Sequence, residues 1–114
     1  RQDRPEKGTE GLRHYSHLHG LIPRLGFFAG QEARLPIDYD EILALVAPRP
    51  ALIVAPTLDR YAPVEDVRRA VQQSRKIYRL LGSERALVLE TPVDFSGFSR
   101  ATQERVFDWI KEKP

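Results

Sequence analysis

The sequence predicts an α/β fold, and two observations carry this prediction. Ala51 to Ala55 shows the continuous rather than alternating apolar pattern of a parallel strand that is buried on both faces, and Ala86 to Thr91 is predicted to be a second strand. Between them, apolar residues recur every three or four positions, which predicts a long amphipathic helix. A strand, a helix and a strand in this order predict one right-handed parallel crossover.

The composition fits one soluble domain. With 114 residues, 41% of them hydrophobic and 30% charged, the chain is large enough for a single core. The formal charge of +2 is too small to indicate a nucleic-acid partner, and the absence of cysteine excludes disulfides and thiolate metal sites. No apolar run approaches the ~20 residues needed to cross a bilayer, and no signal-peptide pattern is present. We therefore expect a soluble chain with no membrane partner, in a compartment that the sequence does not specify.

Three segments follow one another along the chain. Charges without apolar residues predict a loose tail, prolines and glycines predict connections, and the regular patterns predict the core. The predicted segments are a tail at 1–8, a helix-loop-helix lead-in at 9–49 and a βαβα core at 50–113. Within the lead-in, Thr9 caps a helix that ends at Gly20, and Asp38 or Asp40 starts a second short helix. Prolines at 48 and 50 terminate that second helix.

Three histidines, His14, His17 and His19, lie close together in the first predicted helix. Two imidazoles three or four residues apart on a helix could share a zinc ion. However, His17 and His19 point to different sides of a helix, and no fitting carboxylate or second cluster follows. The other interpretation is local hydrogen bonding at a helix end, so no metal ligand is assigned and no cofactor is expected.

The helix between the two strands has the clearest boundaries. Pro63 suits its first turn, Glu65 and Asp66 favour its amino end, and Gly82 closes it. Its outer face is basic, which is typical of a solvated surface and less often of an anion-binding one. A closing helix is predicted after the second strand. Ser99 caps it, and its buried side is predicted to contain Val106, Phe107 and Ile110, with Trp109 at the edge.

Asp59 lies just past the carboxyl end of the first strand, where open α/β sheets place their functional loops. The alternative is that Asp59 simply caps the turn before the next helix. The residues alone leave both interpretations open.

Several segments together resemble a known family. These segments are PRPALIVAPTLDRYAPVEDVRRAV, a helix that ends in YRLLG, and the loop PVDFSGFS before a tryptophan-containing helix. Together they resemble the carboxyl-terminal part of α/β-hydrolases, in the acetyl xylan esterase and dienelactone hydrolase-like branch. The resemblance covers roughly Asp38 to Lys113. It implies a partial α/β-hydrolase fold, with a parallel βαβ unit and a closing helix preceded by short helices and loops.

The resemblance also implies site residues. The family's triad acid falls on Asp59, four residues before Pro63, although Pro56 stands where the family has glycine. The family's catalytic histidine falls on Ser96, one residue before Gly97. A hydroxyl has no basic nitrogen, so Ser96 cannot act as the general base. No serine of the sequence lies in the G-x-S-x-G pattern that carries the nucleophile.

Three functional hypotheses follow. The first is an esterase-like carboxyl-terminal segment, a fragment or a relic, which is non-catalytic alone and completes its sheet by oligomerisation, most simply as a two-fold homodimer. The second is part of a working carboxylic-ester hydrolase whose serine lies on a missing amino-terminal portion. The third is a small binding module that holds a polar ligand near Asp59 with Arg60, Tyr61 and Asp94.

Overall fold

The computed structural model of the chain describes residues 25–28, 31 and 34–112. The chain divides into two compact units, Arg1–Tyr39 and Asp40–Pro114. In the first unit, Leu25–Phe28 forms a 3₁₀ helix within the predicted connection, and the Gln31 N–H donates to the Phe28 carbonyl at 2.8 Å. The predicted tail and the predicted helix that contains the three histidines lie outside the described residues.

Two parallel strands in the second unit confirm the predicted α/β class. Strand β1 is Ala51–Val54 and strand β2 is Leu87–Glu90. They pair in parallel, with Ala51 opposite Leu87 and Val54 opposite Glu90. A 3₁₀ turn, Glu84–Ala86, leads into β2, so this strand begins one residue later than its apolar run. The result is a partial α/β sheet with two strands among the described residues.

Three helices accompany the strands: α1 is Tyr39–Ala44, α2 is Val64–Leu80 and α3 is Arg100–Glu112. Helix α2 begins directly after Pro63 and ends before Gly82, as the sequence predicts. Gly82 has φ of 68°, in the left-handed region that glycine adopts at little cost.

The core lies between α2 and the strands. Val71 and Tyr78 on α2 and Leu87 on β2 are 2%, 0% and 2% exposed. The 3.6-residue period places the two α2 residues on one side of the helix, and Ser74 lies buried between them. Burying these side chains supplies most of the driving force for docking α2 on the sheet.

Two buried hydroxyl groups fix α2 against the segments that precede β1. The Ser74 hydroxyl lies 2.7 Å from the Asp40 carbonyl oxygen in α1 and 2.9 Å from the Ala70 carbonyl oxygen, so either can accept its hydrogen bond. The Tyr78 hydroxyl donates to the Arg49 carbonyl oxygen at 3.0 Å. Burial raises the pKa of Tyr78, and the nearby Arg49 charge opposes this rise. Satisfying these polar groups inside the core specifies one docking position for the helix.

The two faces of the sheet meet different helices. Alternate residues of both strands point toward α2. Leu87 belongs to the core formed with this helix, and Ala51, Ile53 and Leu89 pack against that core. The intervening residues therefore point to the opposite face, and there Arg105 of α3 binds Glu90 of β2. Its Nε and Nη2 atoms lie 2.7 Å and 2.6 Å from Glu90 Oε1. This arrangement places one helix on each face.

The inward face of α3 differs from the predicted one. Phe107 and Ile110, which the sequence analysis places on the buried side, are 60% and 53% exposed. Val106, also predicted on that side, is partly buried, and so is Trp109, which was predicted at the edge. The side of the helix with the partly buried residues is therefore rotated by about one residue from the predicted side, and Arg105 next to Val106 pairs with Glu90. None of the helices in the part of the chain that the structure describes is long and apolar enough to span a membrane.

An ion pair at the carboxyl end of α2 gives stability a pH dependence. Arg79 donates two hydrogen bonds to Glu84, at 2.7 Å and 3.1 Å. The hydrogen bond from Arg79 is the main cause that lowers the pKa of Glu84. Because the pKa of Glu84 is lower in the folded state, the ion pair stabilises the fold at pH values above the ordinary glutamate pKa. This stabilisation is lost as the pH falls through the folded-state pKa.

We therefore expect Glu84→Gln to flatten the loss of stability below about pH 4.3, the ordinary glutamate pKa. Urea unfolding of the two proteins at several pH values down to pH 3 measures this. Glu65→Gln removes an equal charge from a longer 3.5 Å pair with Arg68, and it is the control. The effect is small because both Arg79 and Glu84 are exposed to solvent. If the free energy of unfolding of Glu84→Gln depended on pH in the acid range as that of the unchanged protein does, Glu84 would not be the source of this pH dependence.

Candidate functional site

The loops that follow β1 and β2 run side by side past the carboxyl ends of the strands. Backbone N–H groups of the first loop donate to carbonyl oxygens of the second, at 2.8 to 3.0 Å. These bonds are Ala55 to Glu90, Thr57 to Pro92 and Leu58 to Asp94. Parallel strands bring their carboxyl ends to one edge, and here the pairing continues beyond the regular ladder. The two loops that carry the predicted site residues are therefore held together.

Asp59 is placed by a tight turn in the first loop. Its Oδ1 atom accepts hydrogen bonds from the Tyr61 N–H at 2.8 Å and the Ala62 N–H at 3.2 Å. The Asp59 N–H donates to the Pro56 carbonyl oxygen at 3.2 Å, so Pro56 belongs to the same turn. This geometry confirms that Asp59 organises the turn before α2.

The same geometry leaves one carboxylate oxygen of Asp59 available. No residue that the structure describes donates a hydrogen bond to Oδ2, and the side chain is only partly buried. A carboxylate held through one oxygen by backbone N–H groups has a fixed orientation, and its second oxygen can accept a bond from an imidazole N–H. Turn capping and the triad-acid role are thus compatible at this residue.

The side chains of Arg60 and Tyr61 interact with each other, whereas the contact of Tyr61 with Asp59 is made by its backbone N–H. Arg60 Nη2 donates to the Tyr61 hydroxyl at 2.6 Å, and the guanidinium carbon lies 4.8 Å from the centre of the Tyr61 ring. Both side chains are exposed, and Tyr61 retains 56% of its accessible surface. The guanidinium is therefore held over an exposed aromatic ring at the edge of the first loop.

Asp94 and Ser96 lie in the second loop. Asp94 Oδ1 accepts the Phe95 N–H at 2.8 Å, and the Asp94 carbonyl oxygen accepts the Leu58 N–H. The second bond places Asp94 directly beside the residue that precedes Asp59. Ser96 is exposed, and no described residue forms a hydrogen bond with it. The structure thus brings the Asp59 and Asp94 loops together and leaves the Ser96 hydroxyl in solvent.

A shallow pocket of about 230 Å³ adjoins the second loop, and sequence reasoning did not find it. It lies between the strand ends and the start of α3, where the Ser99 and Thr102 hydroxyls are 3.0 Å apart. Its polar lining includes Asp94 and the Glu90–Arg105 pair. Glu90 and Arg105 are far apart in the sequence, and no local pattern connects them. Only the packing of α3 on the sheet creates this pocket.

Metal ligands do not cluster in the described part of the chain. Among residues 25–28, 31 and 34–112, no group of three histidine, cysteine, aspartate or glutamate side chains is arranged to hold a metal ion. The predicted metal alternative concerned His14, His17 and His19, which lie outside these residues.

Comparison with known proteins gives one match. The chain is 37% identical over 68 residues to a protein named carbohydrate esterase MZ0003, from an unknown prokaryotic organism. The match covers 60% of this chain and 16% of that protein. No family model and no solved structure matches the chain. The comparison supports an esterase-like relationship, over a small part of the relative's length.

Proposed function

We propose that this chain is the carboxyl-terminal segment of an α/β-hydrolase of esterase type, that it carries the triad-acid position at Asp59, and that it has no catalysis of its own. The observation that carries the proposal is the turn that holds Asp59 Oδ1 with two backbone N–H groups and leaves Oδ2 without a described donor. The partial match to a carbohydrate esterase supports the esterase class.

The chemistry assigns Asp59 a positioning role. In a Ser-His-Asp triad, the carboxylate fixes the orientation and tautomer of the imidazole and stabilises the imidazolium that forms when the serine loses its proton. The position of Asp59 at the carboxyl edge of a parallel sheet, beside the loop that carries the family's histidine position, supports this role. In this sequence that position holds Ser96, which can neither accept a proton from a nucleophile nor return it to a leaving group.

The alternative is a working carboxylic-ester hydrolase in which another polypeptide portion supplies the nucleophile and the base. It is favoured by the extent of the match, because 68 residues of this chain correspond to only 16% of the esterase. In this alternative Asp59 acts as the triad acid of the complete site. A further candidate is a small module that binds a polar ligand, and the charged groups of Asp94, Glu90 and Arg105 beside the shallow pocket support it.

The 114-residue chain by itself is expected to hydrolyse p-nitrophenyl acetate no faster than buffer does. The reason is that the sequence contains no G-x-S-x-G nucleophile and that Ser96 replaces the general base. Release of p-nitrophenol, compared between the chain, its Asp59→Asn variant and a protein-free blank, measures this. Turnover that disappears in Asp59→Asn would show that the chain owns a complete site, and it would refute the proposal.

A further inference from the structure

Three arginines on the basic face of α2 follow β2 along its length. Arg68, Arg75 and Arg79 are seven and four residues apart, so the helical period places them along one side of α2. Arg79 pairs with the 3₁₀ turn that precedes β2. Arg75 Nη2 donates to the Leu87 carbonyl oxygen at the start of the strand, at 3.3 Å. Arg68 Nη2 donates to the Thr91 hydroxyl just past its end, at 3.2 Å. The row therefore extends from one end of the strand to the other.

The Leu87 carbonyl group lies on the side of β2 that faces away from β1. The Glu90 carbonyl oxygen accepts the Ala55 N–H, so Glu90 turns its backbone groups toward β1. Because these groups alternate along a strand, Leu87 and Leu89 turn theirs to the outer side. Arg75 therefore occupies a carbonyl group that a neighbouring strand would need, and Leu87 is only 2% exposed.

Positive charge along this edge opposes pairing. The N–H and C=O groups of an edge strand can bind another strand, and natural proteins cover or charge such edges. A strand added beside β2 would have to displace Arg75 from the Leu87 carbonyl group and to desolvate the neighbouring guanidinium groups. The side chains of Arg68 and Arg79 retain 48% and 68% of their accessible surface, so water solvates these charges. Pairing at this edge is therefore unfavourable.

We propose that Arg68, Arg75 and Arg79 close the outer edge of β2 against pairing with any other strand. This role differs from anion binding, because the three guanidinium groups are already hydrogen-bonded to the strand and to the residues that flank it. A larger sheet built from this unit then extends only beyond β1. The proposal concerns the β2 edge alone and does not depend on the role of Asp59.

The test measures how fast the full chain assembles through its strands and which backbone groups the assembly protects. Thioflavin T fluorescence and light scattering follow the agitated protein. The double variant Arg68→Gln/Arg75→Gln is expected to shorten the lag before assembly by at least about threefold. The Leu89 N–H points to the outer side of β2, and no described residue accepts it. Hydrogen exchange measured on the assembled double variant is expected to show this N–H protected, because a second strand then pairs with it.

Arg69→Gln/Lys76→Gln is the matched control. It removes the same charge from the same helix, but Arg69 and Lys76 form hydrogen bonds with Asp66 and Gln73 of α2 itself. We expect its lag to differ from that of the unchanged protein by less than about twofold. Equal lags in the two double variants would overturn the proposal. So would an assembly in which the Leu89 N–H still exchanges freely, and this second measurement decides even where a variant is less stable. Urea unfolding of each variant shows that the compared proteins are folded at the start.

Discussion

Asp59→Asn is expected to lower the turnover number of a complete esterase site by about 10⁴-fold. An asparagine amide keeps the size of the side chain, but its neutral oxygen stabilises an imidazolium far less than a carboxylate does. Its NH₂ group can also reverse the hydrogen bond and select the wrong imidazole tautomer. Because one oxygen of Asp59 already binds the Tyr61 and Ala62 N–H groups, the loop itself can persist in the variant.

The measurement needs a polypeptide that contains a nucleophile and a base. The esterase-named relative is the host to try, with its matched segment replaced by the corresponding 68 residues of this chain. If Asp59 completes the site of the host, the grafted protein is expected to hydrolyse an ester that the host hydrolyses. In the graft, Ser96 is replaced by the residue that the host has at the corresponding position.

Asp94→Asn is the matched control in the same graft. Asp94 is the carboxylate of the neighbouring loop, and it binds the Phe95 N–H through Oδ1 much as Asp59 binds its own turn. We expect its loss to change turnover by less than about tenfold, because its carboxylate closes a local turn in this structure. Equal losses in the two variants would indicate loop damage rather than the removal of a triad acid.

Tyr78→Ala is expected to lower the free energy of unfolding by about 3–5 kcal/mol. Tyr78 is fully buried, contacts the core of α2 and β2, and fastens α2 to the segment before β1 through the Arg49 carbonyl oxygen. Removing the ring leaves a cavity and an unpaired carbonyl group. Since domains have total stabilities of only about 5–15 kcal/mol, much of the chain is expected to unfold.

Tyr78→Phe separates the two contributions. It keeps the ring and removes the hydroxyl, so the expected loss is about 1–2 kcal/mol from the unsatisfied carbonyl group. Tyr61→Ala, at a tyrosine that is 56% exposed, is expected to change stability by less than about 0.5 kcal/mol. Urea unfolding followed by circular dichroism measures all three. A Tyr78→Ala protein as stable as Tyr61→Ala would show that α2 is not held by this core.

Local patterns in the sequence predicted most of the second unit. A continuous apolar run identified β1, the segment Ala86 to Thr91 was predicted as β2, the 3.6-residue period identified α2, and Gly82 ended that helix as expected. The Asp59 turn was one of the two interpretations that the residues left open, because aspartate closes such turns through its neighbouring N–H groups. Each of these features depends on residues that are close in the sequence.

The inward face of α3 required the tertiary structure. Its hydrophobic pattern favoured Phe107 and Ile110, yet both are exposed, and the neighbouring Arg105 pairs with Glu90 of β2. The pocket beside Asp94 follows from the same packing. Such pairs are distant in the sequence and leave no periodic signal.

What the sequence by itself determined about this protein is the set of strands, helix ends and turns, since the backbone preferences that form them act over a few residues. The tertiary structure alone decided which side of α3 meets the sheet, how the two site loops join, and which backbone groups of β2 face outward. These depend on register and packing between segments that are 15 or more residues apart, as with Arg105 and Glu90. Their energies arise only once the chain has brought those segments together.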